Sequence, residues 1–387
     1  MSHKKSKSGS KKSAARRRLT FAILTSGGDC PGLNAAIRGV AKAAYGLRDS
    51  GSDGTPADKV VLYGIANGYR GLIEGDSRLM QSFDFDGILT LGGTIFGTSR
   101  EKPFDEESAL SDTEAARRKP DAIRETYEAL SLDCLVVLGG NGTMKTANRL
   151  ARNGLNVIGL PKTIDNDIFG TDMSFGFHSA VDIATDAIDR LHSTAHSHNR
   201  VMVIETMGHS AGWLALNAGI AGGGDVILIP EIPYEIDSVV NHLKSRAAAG
   251  KRFSIVVVAE GALSRQESKL SAEELERLWL KKGIPSAGYR VARAVEAKCG
   301  METRVTVLGY QQRGGTPSAY DRVLATRFGT AAAQLLFRRE YGCMVAVEGT
   351  EIITRPLEEV AGKLKLVPQD HTLVQTARRV GTCFGDT

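Results

Sequence analysis

Short apolar runs alternate with helical patterns along most of this chain. LTFAIL (19–24), VVLYGI (60–65), LVVLG (135–139) and VIGL (157–160) read as strands, with helices predicted over 35–47 and 144–152. A second series begins after Phe177. A long helical pattern reaches about His196, and VMVIET (201–206), DVILIP (225–230), FSIVVVAEG (253–261) and RVTVLGY (304–310) follow as strands. Continuous apolar strands joined by helices predict parallel sheets sandwiched between helices. The expected fold class is α/β: two doubly wound three-layer domains with mainly parallel sheets. Ligands in such folds lie beyond the carboxyl ends of the strands, which places the active site in the cleft between the domains. The stretches 48–59, 100–120 and 264–274 read as charged surface connections.

Composition narrows the class. The chain has 387 residues, 42% of them hydrophobic, enough for two cores. No apolar run reaches the roughly 18 to 20 residues that span a bilayer, and the N-terminus has no secretion-signal core, so a cytoplasmic protein without a membrane partner is expected. Eight basic residues lie in positions 1–18 with no acid among them, against a formal charge of +5 for the whole chain. The remainder is therefore mildly acidic. Residues 1–18 read as a disordered, solubilising basic tail, and no nucleic-acid partner is expected. The five cysteines are scattered without zinc spacing, as reduced thiols are. Cys30, in a glycine-rich turn, is expected to be accessible.

The chemistry concentrates at strand ends. PKTIDNDIFG (161–170) puts Lys162, Thr163, Asp165 and Asp167 just past a strand. In extended backbone Thr163, Asp165 and Asp167 would share one face. One carboxylate suits a proton acceptor and the other a cation, while Lys162 and the Thr163 hydroxyl suit a phosphate gaining charge during transfer. Alone, the cluster could be a polar turn. TSGGDCPGLN (25–34) and GGNGTMK (139–145) each join a strand to a helix, and GGTIFGTSR (92–100) adds a third glycine loop. Backbone N–H groups of such loops and the helix N-termini behind them form a nest for a polyphosphate. Neither loop has P-loop or GxGxxG order.

The second half supplies cations. Arg200 precedes a strand, Arg304 opens another, and Arg313 lies beside Gly314 and Gly315. Guanidinium groups can grip a phosphate monoester in bidentate fashion. His209, in ETMGHSAGW, reads either as a neutral hydrogen-bonding group or as a helix cap.

From about Thr20 to about Arg327 the ordered segments ILTSGGDCPGLN, GGTIFGTSR, LGGNGT, LPKTIDND, NRVMVIETMGHSAGW, VVVAEG and TRVTVLGYQQRGGTPSAYDR resemble the phosphofructokinase family. The resemblance implies magnesium-dependent phosphoryl transfer to the 1-hydroxyl of fructose 6-phosphate. It makes Asp165 the general base and Thr163 a contact to the moving phosphoryl, with Lys162 beside it and Asp167 ordering the site. Gly28, Arg100, Gly140, Asn141, Gly142 and Thr143 would hold the donor. Met207, Gly208, His209 and Glu260 would hold the sugar, and Tyr310, Arg313, Arg200 and Arg304 its 6-phosphate. Asn141 and Asp165 would contact magnesium. A homo-oligomer, dimer or tetramer, is implied, with Arg200 and Arg304 completing the site of a neighbouring subunit. Residues 19–176 plus about 312–358 would bind the donor, and 177–311 plus about 359–387 the sugar phosphate.

Three positions depart from the bacterial ATP-using pattern, which has Asp at Asn141, Arg at His209 and, in many members, His at Tyr310. In relatives that use pyrophosphate, the residue at Gly142 is an Asp filling the space and charge of the nucleotide α-phosphate. Glycine leaves that space open, which points to ATP, whereas Lys162 is shared with pyrophosphate users. ATP is the expected donor and pyrophosphate the alternative. A kinase of NAD or lipid would need neither TIDND nor QRGG, and a non-catalytic sugar-phosphate regulator would have no use for a base.

Overall fold

The structure is a computed structural model, and it describes residues 18–50, 59–104, 114–284 and 286–386. In chain order its first half contains β1 (Arg18–Thr25), α1 (Leu33–Ser50), β2 (Lys59–Ile65), α2 (Tyr69–Glu74), β3 (Ser77–Met80), α3 (Glu114–Ala129), β4 (Cys134–Gly139), α4 (Asn141–Arg152) and β5 (Val157–Pro161). Next come α5 (Phe177–His198), β6 (Val201–Thr206), α6 (Trp213–Ala221), β7 (Val226–Leu228), α7 (Ile236–Ala248), β8 (Ser254–Ala259), α8 (Ala272–Lys282), α9 (Ala287–Cys299) and β9 (Thr303–Val307). The last segment adds α10 (Ala319–Arg338), β10 (Cys343–Glu348), β11 (Glu351–Pro356), α11 (Leu357–Val360) and α12 (Thr372–Arg379).

These strands form two sheets. The larger has the order β11-β10-β5-β4-β1-β2-β3, the smaller β7-β8-β6-β9. The smaller sheet is wholly parallel, and the larger is parallel except at its edges, where β3 and β11 run antiparallel to their neighbours. Strands β4, β5, β6 and β8 are buried along their whole length, as expected of runs covered by helices on both faces. The mainly parallel α/β architecture therefore agrees with the apolar pattern.

The larger sheet is not contiguous in sequence, because β10 joins it alongside β5 after the smaller sheet is complete. Helix α10 reaches back to α1 through two glycines. A Cβ on Gly39 would stand 2.9 Å from the Thr326 carbonyl oxygen, and one on Gly329 would stand 2.6 Å from that of Ala36. Only hydrogen at both positions lets the two backbones come this close.

Five points of the sequence reading need correction. The hairpin β10–β11 was not foreseen. The charged stretch 100–120 is helical from Glu114, and 264–274 holds a buried Glu267 that accepts from Trp279 Nε1 at 3.1 Å and pairs with Arg290. Arg18, assigned to the tail, opens β1. Residues 1–17, and 51–58 of the expected connection at 48–59, lie outside the described residues. Cys30 is fully buried, donates to the Phe175 carbonyl, and has its thiol pKa pushed up by that burial. Among the described residues no helix is long and apolar enough to cross a membrane.

Candidate active site

A cavity of about 650 Å³ opens at the carboxyl ends of the larger sheet's central strands. Its walls include Gly27 and Gly28 after β1, Gly140 to Thr143 after β4, and Lys162, Thr163, Asp165 and Asp167 after β5. Arg100, His209 and Arg313 close it from other loops. The first turn of α4 faces this space, and its N-cap, Gly140, offers no side chain to the turn's N–H groups. A helix N-terminus left uncapped beside a cavity is suited to an anion. Tyr69 Oη donates to the Thr143 carbonyl at 3.2 Å and steadies that turn.

Lys162 is 3% exposed, and its ammonium donates to the Gly28 carbonyl. Burial lowers its pKa, and the Arg313 guanidinium adds to that effect. Arg313 in turn donates to the Asp29 carbonyl at 3.0 Å. It therefore lies against the β1 loop, within the cavity.

The Thr163–Asp167 backbone is a turn rather than the extended segment expected. Asn166 adopts φ +52°, the Asp165 N–H donates to Thr163 Oγ1 at 3.0 Å, and that hydroxyl lies 3.2 Å from Asp165 Oδ2. Such hydroxyl-to-backbone bonds compete with strand pairing and set up local turns. Strand alternation does not hold here, yet the side chains of Thr163, Asp165 and Asp167 all reach the same cavity. Asp165 Oδ1 and Asn141 Oδ1 are both buried with no hydrogen-bond partner. Burial raises Asp167 to about 6, and the neighbouring Asp165 pushes in the same direction.

Across the cleft, Met207, Gly208 and His209 follow β6, and Glu260 follows β8. The His209 N–H donates to Glu260 Oε1 at 2.8 Å, and Ser210 Oγ lies 2.9 Å from His209 Nδ1. Gly208 has φ +139°, and a Cβ there would stand 2.6 Å from the Ala211 carbonyl oxygen, so the loop requires glycine. Burial raises the Glu260 pKa.

Arg200 and Arg304 are not in this cavity. They flank the amino ends of β6 and β9, while the cleft lies at the carboxyl ends. At about 3.3 Å per residue, the strand length separates them from it by roughly 20 Å. Arg200 Nε is 2.8 Å from Glu302 Oε2, Arg304 binds the other oxygen of the same carboxylate, and Arg200 beside it holds that carboxyl below the usual range. Tyr310 is 76% exposed and also stands outside the cavity.

Sequence reading missed part of the wall. Lys145 and Arg149 line the cavity with Asn141, at the i, i+4, i+8 spacing that shares a helix face, and that spacing could have revealed them. Phe104, whose ring lies 4.8 Å beneath the Arg149 guanidinium, gave no such signal.

An uncapped helix N-terminus, glycine loops and unpaired carboxylate and amide oxygens around one cavity are the parts of a phosphoryl-transfer site. The family model for phosphofructokinase matches residues 20–336, and the chain belongs to the phosphofructokinase family. It is 67% identical over 367 residues to the ATP-dependent 6-phosphofructokinase of Spirochaeta thermophila, covering 95% of this chain and 98% of that protein. It is 50% identical to ATP-dependent 6-phosphofructokinase 3 of Bacteroides thetaiotaomicron, covering 95% and 100%. The T-state phosphofructokinase of Pichia pastoris superposes with TM-score 0.74 at 32% identity over 90% of this chain and 38% of that one, so this chain spans less than half of it. Pyrophosphate-dependent phosphofructokinase of Nitrosospira multiformis, at TM-score 0.76 and 22% identity over 91% and 86%, shares the fold.

Proposed function

We propose that the protein is an ATP-dependent 6-phosphofructokinase, moving the γ-phosphoryl of ATP to the 1-hydroxyl of fructose 6-phosphate. The observation that carries this reading is the unpartnered Asp165 Oδ1, buried in a cavity shared with the uncapped first turn of α4. A buried carboxylate oxygen without a donor is costly unless a substrate supplies one.

In this reading Asp165 accepts the proton of the sugar 1-hydroxyl as that oxygen bonds to the γ-phosphorus. The bridging oxygen departs with its electron pair, leaving ADP and fructose 1,6-bisphosphate. N–H groups of Gly142 and Thr143, with Lys162 and Arg100, steady the charge of the migrating group. His209 and Glu260, with Met207 and Gly208, hold the sugar. Asp167 orders the turn, and Tyr310 and Arg313 act on the 6-phosphate with Arg200 and Arg304 of a neighbouring subunit.

The donor set suits magnesium, with Asn141 Oδ1 and Asp165 Oδ1 both free to accept a cation. Among the described residues no group of three or more His, Cys, Asp or Glu could cage a metal alone, so donor phosphates would supply the remaining ligands. Bound there, magnesium would neutralise phosphate charge. Donor choice rests on Gly142, where a Cβ would meet nothing within 4 Å, leaving room for a nucleotide.

The reading divides the chain into a donor domain of 19–176 with about 312–358 and a sugar-phosphate domain of 177–311 with about 359–387. It also implies a cytoplasmic homo-oligomer, a dimer or tetramer. A coupled assay with fructose 6-phosphate and either donor tests it. Turnover with ATP at least tenfold above that with pyrophosphate is expected. No turnover with ATP overturns the reading, and faster turnover with pyrophosphate overturns the donor assignment.

A further inference from the structure

Residues 364–371 cross the cleft as a strap that touches both of its sides. On the donor side, the Lys365 N–H donates to the Asp167 carbonyl at 2.8 Å, and Leu364 pairs with Ile168 in an antiparallel bridge. Toward the sugar side, Trp213 Nε1, directly after the 207–212 loop, donates to the Lys365 carbonyl at 2.8 Å. Glu231 accepts from the N–H groups of both Gly212 and Val367, joining strap to loop a second time. The strap is thus hydrogen-bonded directly to the turn that carries Asp165 and tied through Trp213 and Glu231 to the end of the loop that carries His209.

One side chain of the strap is spent on the turn itself. Lys365 Nζ donates to Asn166 Oδ1 at 3.0 Å, to the Thr171 carbonyl at 2.9 Å and to the Asp172 carbonyl at 2.8 Å. Three bonds use every hydrogen of an ammonium. Asn166 lies between Asp165 and Asp167 in left-handed backbone, and its carboxamide oxygen also accepts from the Ser174 N–H at 3.1 Å. The ammonium therefore ties residue 166 to residues 171 and 172 and closes the loop behind the two carboxylates.

We infer that Lys365 is a positioning residue for phosphoryl transfer, its ammonium holding the turn around Asn166 so that Asp165 and Asp167 face the sugar-side loop in the reacting geometry. This rests on the functional reading above. Lys365 does not line the cavity, so its removal leaves the binding surfaces intact and misplaces the reacting groups. An error on the order of 1 Å in such placement costs up to about 10²-fold in rate.

The test is steady-state kinetics of the full chain with fructose 6-phosphate and ATP, with thermal midpoints recorded alongside. Lys365→Met is expected to lower kcat by about 30-fold while both KM values stay within about threefold. Lys365→Arg, which keeps a cation with several N–H donors, is expected to recover about tenfold of that loss. Trp213→Phe removes the indole's bond to the Lys365 carbonyl but leaves the ammonium's three, and its kcat is expected within about threefold of wild type. Should Lys365→Met fail to fold, Lys365→Gln takes its place with the same expectation. A kcat within threefold of wild type in the Met or Gln variant overturns the inference. So does an equal loss in Trp213→Phe, or no recovery in Lys365→Arg. Absence of wild-type turnover overturns the functional reading and this inference with it, whereas an active wild type with an equally active Lys365→Met overturns the inference alone.

Discussion

The side of the cleft proposed to hold the donor and the cation pair expected at the sugar's 6-phosphate are built in opposite ways. Around α4 the glycine loops, Lys162 and the Asp165 turn share one cavity within a single chain. Arg200 and Arg304 stand at the far end of the smaller sheet, half-exposed and tied to Glu302. Exposed ion pairs contribute little stability, so the Glu302 contacts would not prevent these guanidinium groups from exchanging their partner for a phosphate. Under the proposed function the contrast divides the labour, with one chain supplying the machinery of transfer and a second copy bringing Arg200 and Arg304 to the sugar's phosphate.

Substitutions can break that contrast at several strengths. Asp165→Asn is expected to lower kcat by about 10³-fold with KM values little changed, as loss of a proton acceptor does. Near-normal turnover would remove Asp165 from the chemistry. Arg304→Ser and Arg200→Ser are each expected to raise KM for fructose 6-phosphate by about 30-fold and leave KM for ATP alone. Mixing Asp165→Asn with Arg304→Ser subunits should restore part of the activity if sites are shared, and no recovery at any ratio would make each site self-sufficient.

Gly142→Asp puts a carboxylate into open space at the donor end. It should depress ATP use at least tenfold and pyrophosphate use less than about threefold. Equal effects on both donors would end the account of donor choice.

The smallest expected effect is on stability. Asp167 carries a pKa raised from 3.8 to about 6, so between those values the folded chain binds more protons than the unfolded one. Its contribution to stability is therefore lost as pH rises through that window. In metal-free buffer, Asp167→Asn should stabilise the protein by about 1 to 2 kcal/mol at pH 7 and by nearly nothing at pH 4. A denaturant midpoint that is independent of pH in that comparison would refute the assignment.

The central strands were legible because runs buried on both faces leave a continuous apolar record, as in residues 135–139 and 201–206. Strand β11 escaped because it is a half-exposed edge whose pattern, EIITRP, is only partly apolar, whereas β10, with the buried run MVAV, was legible by the same rule. The gathering of polar side chains at one cavity was legible where they lie close in sequence, as in the Thr163–Asp167 turn, although its backbone conformation was not. A contact such as Lys365 to Asn166 spans 199 residues and has no local signature. By contrast, the separation of Arg200 and Arg304 from the cleft was legible, because one precedes β6 and the other opens β9, at the ends opposite to those where ligands lie.

The return of the chain to its first sheet has a consequence for biosynthesis. On the ribosome, the larger sheet must wait with an open edge beside β5 while the whole smaller sheet is made. A chaperone bound until residue 343 emerges would guard that edge, and a nascent chain released earlier would present it to its neighbours as a sticky ribbon.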